Sequence, residues 1–131
     1  MPNYKTHDRI NLALLIPIVS ILLYYHFEIL SVILFSFSYL FSTFYLSPDM
    51  DTKSKSYYRW NIFRIFWWPY RRIMTHRGIS HNIFLGAAVF MLYCLPLIVA
   101  IVILSHSTVP LELLFGFVTA YNFHIIIDKI F

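Results

Sequence analysis

The sequence predicts an all-α integral membrane protein with four transmembrane helices and an interfacial helical insertion, rich in aromatic and basic residues, between helices 2 and 3. Of the 131 residues, 60% are hydrophobic and only 12% are charged, against about 25% charged in an ordinary soluble domain. Four apolar runs are each long enough to cross about 30 Å of hydrocarbon. A chain of this length has room for one domain, so we expect a single membrane domain over residues 1–131.

The first two spans are expected to form a hairpin. The first apolar run covers about residues 10–27 and lacks a small-residue cleavage site after it, so we expect it to be retained. The second run covers about residues 29–46. Pro48 then ends the second helix and leaves Asp49 and Asp51 just beyond its end.

The insertion, at about residues 52–75, alternates basic residues with aromatic rings. Long basic side chains and rings with a polar edge both favour the lipid headgroup region. We therefore expect interfacial helices that lie on the bilayer and break near Pro69. A basic-aromatic patch for nucleic acid is the alternative, but the spans on both sides argue against it, and no nucleic acid partner is expected. The third and fourth spans follow at about residues 83–104 and 110–131.

Charge distribution predicts the orientation. Four spans with short hairpins place both termini and the insertion on one side, and all ten lysines and arginines then fall on that side. The positive-inside rule makes this side cytoplasmic. We therefore expect a multi-pass protein of the bacterial inner (cytoplasmic) membrane, with both termini cytoplasmic and membrane lipids as partners. The one cysteine, Cys94, lies in an apolar run and receives no role, and the oligomeric state is left open.

The same topology gathers polar side chains at the cytoplasmic end, and these are the candidate metal ligands. His124 and Asp128 have the spacing i, i+4, which places them on one face of the last helix. An ionisable group well inside a span costs on the order of 2.5–3.5 kcal/mol on insertion scales, and a bound metal would offset that cost. The alternative is an Asp–His hydrogen-bonded pair that only packs the helices. The full candidate set is His7, Asp49, Asp51, His76, His81, His124 and Asp128.

Individual members carry alternatives of their own. Asp49 and Asp51 point the same way in an extended segment, so one could ligate while the other orients a histidine; a turn-capping role for Asp49 is the alternative. Arg77 could clamp an anionic oxygen or anchor to lipid phosphate. Ser80 is expected to cap the third helix. His7 is the weakest candidate ligand, because chain termini are often mobile.

The motifs at residues 6–11, 47–52 and 76–81 together resemble a family of small bacterial membrane proteins described as metal-binding. These proteins are similar to the LexA-regulated, membrane-bound metal-dependent hydrolases, and the likeness covers nearly the whole chain. The family is distantly similar to zinc-dependent phospholipase C and single-strand-specific nucleases, which are helical phosphodiesterases with a His-x-x-x-Asp pair. The resemblance implies phosphoester hydrolysis. The second His-x-x-x-Glu/Asp pair of those enzymes is missing here, so one or two metal ions are expected instead of three.

The sequence thus predicts a membrane-embedded metal-dependent hydrolase that acts on a phosphoester, with a lipid headgroup as the natural substrate, at the cytoplasmic face. Zn²⁺ suits a mixed His/Asp ligand set best, with Mn²⁺ or Fe behind it. Asp49 or Asp51 is expected to act as general base and Arg77 to stabilise developing charge. The alternative is a non-catalytic metal-binding membrane protein, such as a sensor, carrier or assembly partner. A lipid-binding scaffold without metal is the third possibility.

Overall fold

The computed structural model describes residues 4–74 and 78–130. The first helical pair is α1 (Tyr4–Tyr24) and α2 (Ile29–Tyr45). A 3₁₀ turn at Pro48–Asp51 leads into the insertion, which consists of α3 (Lys55–Arg59), a 3₁₀ helix (Asn61–Trp67) and α4 (Trp68–Ile73). A further 3₁₀ turn at Ile79–His81 precedes α5 (Gly86–Ser105) and α6 (Leu111–Ile130). Within the described ranges, four helices are long and apolar enough to cross a membrane.

Helix α1 begins at Tyr4, well before the expected start of the first span at residue 10. The reason is that its polar first turns face inward, since His7 and Asn11 are the buried residues of this helix. The next residue, Asp8, forms an ion pair with Arg59 of α3, at 2.8 Å between the oxygen and the nitrogen. The polar residues before the predicted first span are therefore part of the helix.

The most extensive helix–helix contact joins α2 to α6, and small residues allow it. A Cβ placed on Gly116 would lie 2.4 Å from the backbone oxygen of Phe35, so a larger residue there would force the helices apart. Serines of α2 also donate hydrogen bonds to the α6 backbone: Ser38 to the Leu113 carbonyl and Ser42 to that of Phe117 at 3.4 Å. Small residues and hydroxyl groups commonly mediate such close packing between apolar helices. This contact fixes α6 relative to the end of α2.

The insertion is anchored to the C-terminal end of α2, where a helix leaves carbonyl groups without helical partners. Arg59 donates to the Phe44 carbonyl at 2.8 Å, and the indole nitrogen of Trp60 donates to the Tyr45 carbonyl at 2.8 Å. The insertion therefore closes the end of α2 and covers the residues that follow it.

The aromatic rings of the insertion divide between the core and the surface. Trp67 and Tyr70 are fully buried, and each packs against Phe90 of α5, with ring centroids 5.2 and 5.3 Å apart. Phe63 and Trp68 are exposed. The rings of the insertion thus do not all face its surface, because Trp67 and Tyr70 fill the space between the insertion and α5.

The turn before α5 is organised by Asn82, and Ser80 does not cap the helix as expected. The Asn82 side-chain oxygen accepts hydrogen bonds from the backbone nitrogens of Phe84 at 2.9 Å and Leu85 at 3.0 Å. Helix α5 then starts at Gly86. Ser80 is fully buried, and its hydroxyl bonds to Asp51 instead.

Candidate metal centre

Five ionisable side chains meet at one end of the helical bundle, each carried by the end of a different element or by the last turns of α6. His7 comes from the first turns of α1, Asp49 from the 3₁₀ turn after α2, and His81 from the 3₁₀ turn before α5. His124 and Asp128 both come from α6. The α2–α6 contact and the anchored insertion hold these ends together.

Two carboxylates lie between three imidazole rings. The Asp49 oxygens are 3.3 Å from Nε2 of His81 and 3.2 Å from Nε2 of His124. The Asp128 oxygens are 3.3 Å from Nε2 of His7 and 3.3 Å from Nε2 of His81. Ligand atoms of Asp49, His124 and Asp128 all lie within 4.8 Å of one another. His7 and His124 stack face to face, with ring centroids 4.3 Å apart.

These distances fit a metal centre. Two donor atoms that bind one ion at about 2.1 Å lie about 3.0 Å apart in octahedral geometry and about 3.4 Å apart in tetrahedral geometry. The nitrogen–oxygen distances of 3.2–3.3 Å fall between these values. Among the described residues, the buried Nε2 of His124 makes no hydrogen bond, although Asp49 lies at 3.2 Å. This nitrogen is therefore close to a carboxylate and remains available as a ligand atom.

Hydrogen bonds behind His81 concern which of its two ring nitrogens carries the proton. The Ser80 hydroxyl donates to Asp51 at 2.6 Å and lies 3.2 Å from Nδ1 of His81. A hydroxyl has one hydrogen, and an ionised carboxylate can only accept, so the Ser80 proton goes to Asp51. When Nδ1 of a neutral His81 ring donates to Ser80, Nε2 carries the lone pair. That lone pair points toward Asp49 and Asp128, as a metal ligand requires.

The electrostatics of His81 also favour a cation at this point. Burial lowers the pKa of His81, but the nearby carboxylates of Asp49, Asp51 and Asp128 outweigh it, so the pKa is raised above its ordinary value. The carboxylates thus stabilise positive charge on or beside the ring. A proton and a metal ion compete for the same nitrogen.

The loop that carries His81 is fixed by its neighbours. The buried Tyr121 hydroxyl donates to the Ser80 carbonyl at 2.9 Å. A Cβ on Gly86 would lie 2.5 Å from the same carbonyl oxygen, so only glycine allows this approach between the loop and α5. The position of His81 is therefore set by packing on both sides.

One side of the centre opens into a cavity of about 260 Å³, lined by His81, Ile125, Asp128 and Lys129. The exposed Lys129 gives this cavity a positive charge beside the candidate ligands. Lys129 was not among the sequence candidates; its place directly after Asp128 was the available signal.

The structure brings together five of the sequence candidates: His7, Asp49, His81, His124 and Asp128. His7 is a buried residue of α1, so the concern about a mobile terminus does not apply to it. Asp51 lies behind His81, bonded to Ser80, with its carboxylate 4.0 Å from Nδ1 of His81. His76 and Arg77 lie outside the described residues, so their assignments stay predictions.

Comparison with known proteins supports a metal site. The sequence model of a family described as "Uncharacterized metal-binding protein (DUF2227)" matches residues 2–131. An "Uncharacterized protein" of Aquifex aeolicus (strain VF5) is 43% identical over 60 residues, which is 45% of this chain and 43% of the relative. The match thus spans less than half the length of that relative. No solved structure matches the chain.

Proposed function

The chain belongs to the DUF2227 family of uncharacterized metal-binding proteins, and on that premise we propose that it is a metal-dependent hydrolase that cleaves a phosphoester at the cytoplasmic face of the bacterial inner membrane. One observation carries the proposal: the cluster of ligands borders an open cavity that also holds a lysine. An open position beside the ligands is typical of catalytic metal sites, whereas structural sites are closed. The lysine favours an anionic substrate.

The residues that would hold the metal are His7, Asp49, His81, His124 and Asp128, with room for one or two ions. This mixed nitrogen and oxygen set suits Zn²⁺ best, with Mn²⁺ or Fe as the next choices. The ion would supply Lewis-acid activation of water and of the phosphoryl group.

Among the two candidate bases, the structure favours Asp49. Its side chain is 27% exposed, whereas that of Asp51 is fully enclosed at 0%. Water can therefore reach Asp49, which would accept a proton from it. Asp51 would act at a distance, by fixing the ring of His81 through Ser80.

Positive side chains would bind the substrate. Lys129 lines the cavity and would pair with a phosphoryl oxygen. Arg77 would stabilise the negative charge that develops on the phosphoryl oxygens. The resemblance to LexA-regulated membrane hydrolases, and more distantly to zinc-dependent phospholipase C and single-strand-specific nucleases, supports a phosphoester as the bond that is cleaved.

The four long apolar helices support the proposed location in a membrane. Their hairpins would place the centre and all ten basic residues on the cytoplasmic side. A site at the bundle end would be reached from the bilayer surface, which makes a lipid headgroup the natural substrate.

A non-catalytic metal-binding protein is the second candidate, and the number of donors favours it. Five side chains suffice to fill the coordination positions of one ion, which would leave none for water or substrate. Such a centre would hold the ends of the helices together in a sensor, carrier or assembly partner.

Turnover separates the two candidates. Metal-loaded protein in micelles is given a panel of phospholipids and generic phosphodiesters, with Zn²⁺ and with Mn²⁺. We expect metal-dependent turnover of at least one, and Lys129→Gln should lower it by about 10- to 100-fold, the usual worth of a hydrogen bond to a charged group. Metal content should stay at the wild-type level, and Lys55→Gln, an exposed lysine of α3, serves as the control.

Two results would contradict the hydrolase. Stoichiometric metal with no turnover of any phosphoester would favour the non-catalytic protein. Turnover that is equal in wild type and Lys129→Gln would remove the assigned role of the lysine.

A further inference from the structure

The insertion presents an exposed apolar row that its hydrogen bonds and packing leave unused. Ile62, Ile65 and Trp68 are 74%, 78% and 54% exposed. They are spaced by three residues along the 3₁₀ helix Asn61–Trp67 and the first residue of α4. Side chains at i and i+3 of a 3₁₀ helix eclipse one another, so the three form one row on one face.

At the end of this row lies a polar recess of about 120 Å³, lined by Trp68, Arg71 and Arg72. The Arg72 guanidinium stands 5.4 Å from the centre of the Trp68 ring, and that of Arg71 stands 4.6 Å from the centre of the Tyr57 ring. Stacking on a ring fixes the plane of a guanidinium and leaves its edge N–H groups available. The recess is thus lined by two guanidinium groups, each placed over a ring, and guanidinium donors suit phosphate oxygens.

The charged residues of the insertion have one sign. Residues 52–74 contain six basic residues and no acidic ones, and of these Arg59 pairs with Asp8. An apolar row beside a cationic recess matches the arrangement of a bilayer surface, with acyl chains below and headgroup phosphates above.

We propose that Arg71, Arg72 and Trp68 form a binding site for the phosphate of an anionic phospholipid headgroup, with Ile62 and Ile65 seated among the acyl chains. This inference rests on the proposed membrane location but not on hydrolysis. The site is separate from the cavity beside the metal ligands, so its occupant is a bound lipid that holds the insertion to the membrane.

The test is lipid selectivity of the full-length protein in detergent micelles. Phosphatidylglycerol and phosphatidylcholine with brominated acyl chains are titrated in turn, and quenching of tryptophan fluorescence reports binding at the insertion, which carries all three tryptophans of the chain. We expect the anionic lipid to bind at least tenfold more tightly. Arg71→Gln/Arg72→Gln should reduce this preference to less than about twofold, with metal content unchanged.

The control is Lys53→Gln/Lys55→Gln, which removes the same charge from the same segment outside the recess, and it should keep the preference. Equal loss in both double variants would mean diffuse attraction and would overturn the site, as would equal binding of the two lipids by wild type.

Displacement of the lipid by millimolar inorganic phosphate would show a site for a soluble anion and would also overturn the proposal. If the double variant fails to fold, the exposed Arg72→Gln alone should still lower the preference severalfold. Should the proposed hydrolysis fail while this selectivity holds, the lipid site stands by itself.

Discussion

Histidines occur at both ends of the helical bundle, in two different settings. At the end with the candidate centre, His7, His81 and His124 are buried and lie within 3.3 Å of aspartate oxygens. At the opposite end, His26 and His106 are exposed and have left-handed backbone angles, with φ of 59° and 52°. The first group presents ring nitrogens to carboxylates, and the second lies in turns.

The comparison shows that the residue type does not mark the site. His26 lies in the α1–α2 turn, and His106 ends α5 in the left-handed conformation that usually selects glycine or asparagine. Histidine is also enriched in this region of backbone space. What distinguishes the other three is that separate helix ends bring them to shared carboxylates, away from solvent.

The largest expected effect is on metal affinity, when one of the buried histidines is replaced. His124→Ala removes a ring that faces Asp49 and stacks on His7, so metal affinity should fall by more than about 10²-fold, beyond the usual effect of losing an outer partner. His26→Ala is the matched change at the exposed end and should leave affinity within about twofold. Metal content by mass spectrometry and competition with a chromophoric chelator give both values. Retention of full metal affinity in His124→Ala would exclude it as a ligand.

Much of the fold was predictable because apolar runs of membrane-spanning length are a strong signal. Four long helices follow from them, and the meeting of His124 and Asp128 with residues of the other helix ends follows from simple up-and-down topology. The start of α1 at Tyr4 was not predictable, because polar residues before an apolar run resemble a solvated tail. They are helical here since His7 and Asn11 face the interior.

The roles of residues that depend on neighbours distant in sequence were also not predictable. Trp67 and Trp68 are adjacent and chemically identical, yet one is buried and the other exposed, which depends on the phase of a short 3₁₀ helix. Ser80 looked like a helix cap but bonds to Asp51, 29 residues earlier. The sequence close to these residues does not indicate either outcome.

An intermediate effect on metal affinity is expected when a group that positions a buried histidine is replaced. It distinguishes the candidate ligands from the groups that position them. Ser80→Ala removes the hydroxyl between Asp51 and Nδ1 of His81, so metal affinity should fall by about 10- to 100-fold. Ser42→Ala is the matched control, since it deletes another buried hydroxyl, one that bonds to the Phe117 carbonyl on α6. It should lower thermal stability and leave metal affinity unchanged. If both variants lose stability and neither loses affinity, Ser80 is only a packing residue.

The smallest effect tests the exposed end, where His106 is expected to matter only through its backbone. A left-handed residue with a Cβ is disfavoured by about 1–2 kcal/mol, a cost that glycine avoids, while glycine gains more conformational freedom in the unfolded chain. These terms oppose each other, so His106→Gly should change the free energy of unfolding by less than about 1 kcal/mol. His106→Ala keeps the Cβ and loses the imidazole ring, so this variant should be less stable than His106→Gly. Thermal unfolding in micelles orders the variants, and both should keep the metal affinity of wild type. A loss of metal in His106→Gly would show that the two ends are coupled through α5, and the division of the histidines into ligands and turn residues would then fail.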